Sequence, residues 1–136
     1  QVKSYDIIFK GKVSKIDTVF YLTDYFTNSG LASRDSGGYF TNHLVTLTVK
    51  TIWKGTVKES KIKIMTGQGN GDCGYYFALN KDYIIFANKK PYIIIDSIDK
   101  TNLKFKSHDE IFFETNDCYR TTDKVKKEEK ILNALF

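Results

Sequence analysis

The sequence predicts a mainly β domain, a five- to six-stranded barrel closed by a C-terminal amphipathic helix, and three observations carry that expectation. Tyr and Phe are abundant, 15% of the 136 residues are aromatic and Pro occurs once, a composition that suits pleated, half-buried surfaces. Short runs with period-two alternation recur with turn residues between them, which implies a barrel or sandwich. Near Thr122 the apolar spacing becomes helical. The whole chain, 1–136, is expected to fold as one domain that buries roughly two thirds of the surface its unfolded chain exposes.

The first strand is expected over about 5–19, where Ile7, Phe9, Gly11 and Val13 alternate with Asp6, Lys10 and Lys12; Gly11 marks a bend or bulge. The second covers about 43–54, with Val45, Leu47 and Val49 on one face and Thr46, Thr48 and Lys50 on the other, and Lys54-Gly55 supplies the turn. A short strand at 61–66 alternates through Ile62 and Ile64, and the continuous apolar run at 82–88 suits a strand covered on both faces. The stretch 92–106 gives the last strands, Ile93–Ile98 and Leu103–Phe105, around an Asp-Lys-Thr-Asn turn. Over 122–136, Val125, Ile131, Leu132, Leu135 and Phe136 fall on one helical face, with Thr122 or Asp123 as cap.

Tyr-Phe-Thr-Asn occurs at Tyr25–Asn28 and again at Tyr39–Asn42. Two copies make no solenoid. Their symmetry about Ser33 and Arg34 predicts that they pair across a protruding ribbon or long loop carrying exposed Tyr and Phe.

The charge of +5 and pI near 9.1 would suit an anionic partner, yet the lysines are spread along the chain apart from the Lys124–Lys130 run, so a generally basic surface is the plainer reading. No stretch approaches the roughly 20 apolar residues of a membrane span. The chain opens on Gln1 in place of Met, from which a removed export signal is expected, and with it an extracellular, periplasmic or cell-surface setting. Cys73 and Cys118 fit one structural bridge in an oxidising compartment. Bridged to each other, they would close a loop of roughly 45 residues, a constraint of about 4 kcal/mol.

No motif reads as an enzyme site. Gly69-Asn70-Gly71-Asp72-Cys73-Gly74 fits GxGxxG, but 75–81 is too short for the helix that such a loop needs to present to a pyrophosphate. Cys73 with His43 or His108 has no spacing that argues a nucleophile and base, and two lone histidines in no HExxH or CxxC pattern argue no metal site. No cofactor is expected. The acids Asp96, Asp99, Asp109 and Glu110 are expected in turns, where carboxylates are common without function. Trp53 is read as a core or rim residue ahead of a stacking platform.

The order Tyr5-Asp6-Ile7-Ile8-Phe9-Lys10-Gly11-Lys12-Val13, Val45-Thr46-Leu47-Thr48-Val49, Ile52-Trp53-Lys54-Gly55, Thr66-Gly67, Cys73-Gly74-Tyr75-Tyr76-Phe77, Tyr83-Ile84-Ile85-Phe86-Ala87 and Cys118-Tyr119-Arg120-Thr121 resembles the TIMP-like group. These are bacterial relatives of the inhibitory N-terminal domain of tissue inhibitors of metalloproteinases. The resemblance spans nearly the whole chain and implies an OB-type barrel with a flanking helix, an exported protein and metalloprotease inhibition. In those inhibitors a Cys-x-Cys at the mature N-terminus chelates the protease zinc and is bridged to cysteines resembling Cys73 and Cys118. Here Gln1-Val2-Lys3-Ser4 stands at the start and no cysteine precedes Cys73. Two alternatives follow: the Cys-x-Cys lies upstream, or the zinc-binding group is lacking; likewise Cys73 bonds Cys118, or each bonds an upstream partner.

The functional expectation is a non-enzymatic, exported protein-binding module facing a metalloprotease or another extracellular protein. Its binding edge is expected to gather Gln1, Tyr25, Phe26, Tyr39 and Phe40 of the hairpin, and Gly71, Tyr75 and Tyr76 of the glycine loop. The alternatives are an OB-type binder of single-stranded nucleic acid or carbohydrate, or a structural interaction domain; nucleic acid ranks lower because basic and aromatic residues do not interleave in the central strands.

Overall fold

The computed structural model describes residues 4–22, 40–67, 74–99, 101, 104–116 and 119–136. The described elements are β1 (Ile7–Leu22), β2 (Phe40–Lys54), β3 (Lys61–Thr66), β4 (Asp82–Asp99), β5 (Lys104–Glu114) and α1 (Val125–Leu135). The strands close into a ring in the order β1-β2-β3-β5-β4, with β1 returning to β4. The β1–β2, β2–β3 and β4–β5 pairs are antiparallel, and β3 and β5 run parallel through Ile64 opposite Phe113 and Met65 opposite Glu114. β1 meets β4 from Ile7 opposite Ala87 to Lys12 opposite Asp82, and again where Tyr21 and Leu22 face Ile94 and Ile93. This is the mainly β, five-stranded, barrel-like architecture with one C-terminal helix that the sequence predicted.

Alternation explains the core. Phe9, Val13, Val45, Leu47, Ile64 and Ile85 point into the ring and are buried there. Their neighbours Ile8, Ile84 and Phe86 face outward and are covered by Leu132 of α1, with Tyr5, Trp53, Tyr119 and Val125 around them. This is why 82–88 reads as apolar on both faces. A third cluster joins Leu44, Met65, Tyr92, Ile94 and Phe112, with Val19 and Tyr21 against it, at the far halves of the strands. The pairing of β1 with β2 shifts register between Lys10 and Gly11, and a Cβ on Gly11 would come within 3.0 Å of Thr48 O; the glycine lets the strands close at this irregularity.

Several expected boundaries need correction. The separate strands at 82–88 and 92–106 are one long β4 followed by β5: β4 pairs with β1 up to Ala87, takes β5 from Asn88 onward and meets β1 again at Ile93 and Ile94. Pro91 lies within it opposite Ile111, where β5 is the partner on one side, a position that tolerates a missing donor. Asp96 and Asp99 therefore lie in β4 and Asp109 and Glu110 in β5, outside turns. Of the two Tyr-Phe-Thr-Asn copies, Tyr25–Asn28 and Tyr39 lie outside the described residues, and with them the expected pairing about Ser33 and Arg34. Phe40 stands opposite Tyr21 and Asn42 opposite Val19, a register held by the buried pair Val13 with Leu47 and by half-buried Ile16 opposite buried Val45. The expected ribbon tip itself, 23–39, lies outside the described residues.

The helix is also narrower than its sequence suggests. Leu132 and Glu128 are buried and Val125 half-buried, whereas Ile131, Leu135 and Phe136 are exposed. Ile131 sits about 100° around the helix from Leu132, and Glu128 is admitted to the inner face by its bonds to Arg120. Lys124 is the N-cap residue and no side chain caps the helix; Thr122 Oγ1 accepts the Lys124 N–H instead, and Asp123 pairs with Lys81 at 2.7 Å. Trp53 packs at the rim of this layer and donates Nε1–H to Asn133 Oδ1 at 2.9 Å.

Candidate functional site

An open groove of about 950 Å³ runs along the β4–β5 hairpin beside the end of β1. Its apolar floor comes from Leu22, Pro91, Ile93 and Ile111, and Asp109, Glu110 and Lys90 stand on its rim. The strand period builds it: Pro91 lies opposite Ile111 and Ile93 opposite Asp109, so these four share one face, and Leu22 faces Ile93 across the β1 contact. Ile111 is 66% exposed although it lies in mid-strand, an apolar side chain left without cover on the groove floor.

A smaller cleft of about 150 Å³ adjoins it, where Tyr21, Asn42, Gly67, Gly74, Tyr92 and Glu114 meet. Here Glu114 gathers donors: Tyr92 O–H at 3.2 Å, Asn116 Nδ2–H at 3.4 Å and Lys90 Nζ at 3.2 Å. Lys90 Nζ also lies 5.5 Å from the Tyr92 ring centroid, and Tyr92 packs edge-on to Tyr21 at 5.3 Å. Burial first, then the Glu114 carboxylate, lifts the Tyr92 phenol well above its ordinary range, so it stays a donor. With its oxygens engaged by three donors, Glu114 is built as an anchor for Tyr92 and Lys90.

Of the expected binding residues, Gln1, Tyr25, Phe26, Tyr39 and Gly71 lie outside the described residues, as do Cys73 and Cys118 with their expected bridge. Phe40 opens β2, 43% exposed, with its ring 5.8 Å from that of Tyr21. Tyr76 is exposed. Tyr75 packs against Phe77 at 4.8 Å and Tyr83 at 5.9 Å beside the barrel interior, and its N–H donates to Thr66 Oγ1. Burial, then the charge of Asp123, pushes the Tyr75 phenol up to about 12. The bases of the two expected loops do converge, since Tyr21 and Asn42 share the small cleft with Gly67 and Gly74.

Tyr21, Lys90, Tyr92, Ile111 and Glu114 were not singled out by the sequence, because each sits in an ordinary strand pattern; the contiguous Ile111-Phe112-Phe113 run was the one available signal. His108 bonds Asp96 Oδ2 through Nδ1 at 2.8 Å and Glu110 Oε1 through Nε2 at 2.9 Å. Among the described residues no group of three or more His, Cys, Asp or Glu is arranged to hold a metal ion, and no helix is long and apolar enough to cross a membrane.

Fold and groove together define a small closed β domain with an apolar-floored cleft at one end. Compared with protein-family models, curated proteins and solved structures, the chain matches none.

Proposed function

We propose that this protein is an exported binding module that holds a segment of another protein in the groove between the end of β1 and the β4–β5 hairpin. The observation that carries the reading is an apolar floor of Leu22, Pro91, Ile93 and Ile111 in an open groove of about 950 Å³, which suits an apolar or aromatic anchor from a partner. The adjoining Tyr92–Glu114–Lys90 cluster supplies a fixed polar edge. The groove's acids favour protein over nucleic acid: Asp109 and Glu110 line it and Lys90 is paired with Glu114, whereas single strands bind in positively charged grooves. The resemblance to metalloprotease inhibitors makes a zinc metalloprotease the first partner to test, with the convergent loop bases as its contact edge.

The test is selection of a displayed random-peptide library on the purified chain, followed by titration of a panel of zinc metalloproteases. Enriched peptides with an apolar anchor, lost on Ile111→Asp while the circular dichroism spectrum holds, are expected. A library that yields no ligand sensitive to Ile111→Asp or Ile93→Asp removes the groove as the site, and proteases that neither bind nor lose activity remove that partner class.

A further inference from the structure

We propose that two copies of this chain pair through the outer edge of β5, antiparallel about a two-fold axis at His108. β5 has β4 along one side, whereas β3 meets its other side only at Phe113 and Glu114. Thr115 N–H donates to Met65 O at 3.0 Å, so this amide turns toward the β3 side. Alternate residues of a strand turn the same way, which sets the N–H and C=O of Ile111, Asp109 and Ser107 on that edge. Among the described residues these groups have no backbone partner. A row of unpaired amides is a template for a further strand, and β5 carries no proline along it.

The charge order names the occupant. Lys104 and Lys106 precede His108, and Asp109 and Glu110 follow it. Pairing the outward amides requires Ser107, Asp109 and Ile111 to face residues of the same alternating set. The register centred on His108 does so: Ser107 faces Asp109, Phe105 faces Ile111 and Lys106 faces Glu110, each twice by symmetry. Centring on Asp109 instead would oppose two carboxylates, which destabilises a pair of strands, while opposite charges face to face stabilise it. A two-fold interface needs this self-complementarity.

Lys106, His108 and Glu110 lie on one face as alternate residues. Glu110 Oε1 already holds His108 Nε2, and Asp96 holds Nδ1, so each imidazole at the axis is matched by carboxylates of its own chain. Oε2 of Glu110 is then the oxygen that meets Lys106 of the second copy. The joined sheet, β4-β5 continued by the other copy's β5-β4, places both grooves on the same face, so a partner long enough to span them is held twice. That last consequence rests on the proposed function; the pairing itself does not.

Sedimentation equilibrium of the full chain over a concentration series tests the pairing. A monomer–dimer equilibrium is expected for the wild type. K106E alone and E110K alone each weaken it roughly tenfold or more by opposing like charges twice, and an equimolar mixture of the two variants restores a heterodimer. Far-UV circular dichroism checks that both variants are folded. Hydrogen exchange gives a measurement without substitution: amides of Ser107, Asp109 and Ile111 gain protection as the wild-type concentration rises. A wild type that stays monomeric at every concentration overturns the proposal. So does a dimer indifferent to both variants, or one whose β5 amides stay unprotected.

Discussion

Arg120 Nη2 reaches both carboxylate oxygens of Glu128, at 3.0 and 3.1 Å, and the same guanidinium lies 4.9 Å from the centroid of the Phe86 ring. One side chain thus ties the segment before the helix to α1 and to the outer face of β4. The Glu128 side chain is only 10% exposed, so removing Arg120 leaves a buried carboxylate without its partner. Arg120→Met is expected to lower unfolding stability by about 2–3 kcal/mol, read as a shift in urea midpoint. Combining it with Glu128→Leu should recover part of the loss, because replacing both members of such a pair by apolar side chains removes the unpaired charge. A double variant as unstable as the sum of the two singles would show that packing on Phe86, and not the ion pair, holds the helix.

A buried hydroxyl pair fixes the same segment to β4 from below. Thr121 Oγ1 accepts the Phe86 N–H at 2.9 Å and lies 2.7 Å from Thr115 Oγ1, which donates to Phe86 O at 2.9 Å. Thr121→Val keeps the shape and leaves the Phe86 amide unsatisfied, a cost of about 1–3 kcal/mol. Thr121→Ser, which keeps the oxygen, should cost less than Thr121→Val in the same urea titration. A larger loss for Thr121→Ser than for Thr121→Val would assign the effect to the methyl group.

Gly55 ends β2 with φ of 87°, and a Cβ there would stand 2.9 Å from Asp6 O and 3.1 Å from Ile7 Cγ1. Backbone strain and contact combine, so Gly55→Ala is expected to destabilise by about 2 kcal/mol. Lys58→Ala, at an exposed position three residues on, serves as the control and should stay within about 0.5 kcal/mol.

That turn was legible in the sequence as Lys54-Gly55, and so was β3 over 61–66, because each depends on neighbours along the chain. What the sequence did not reveal is long-range. Nothing local in Asn88-Lys89-Lys90-Pro91 says that β4 runs on there and takes up β5; a proline in a polar stretch reads as a break. The acids at Asp109 and Glu110 read as a turn for the same reason, although Ile111 and Phe112 extend their strand to Glu114. Glu128 on the inner face of α1 contradicts a binary pattern until Arg120 is brought to it. The groove was illegible because its floor joins Leu22 of β1 to Ile93 and Ile111, residues that alternation alone assigns to ordinary strand faces.

His108 gives the fold a pH dependence whose sign follows from its partners. Its bond to Asp96, then that to Glu110, raises its pKa above the ordinary imidazole value, so the folded state favours the protonated ring that donates from both nitrogens. The unfolded chain releases this proton near the ordinary value of about 6.5, and the folded chain only at higher pH. The stabilisation is therefore fully present below about 6.5 and is lost as pH rises through the folded value. Urea midpoints across that interval should decline for the wild type and flatten for His108→Gln. Asp96→Asn should lower the imidazole pKa, measured by the titration of its ring protons in NMR spectra, and shift the decline to lower pH. A His108→Gln profile as steep as the wild type's would place the titrating group elsewhere.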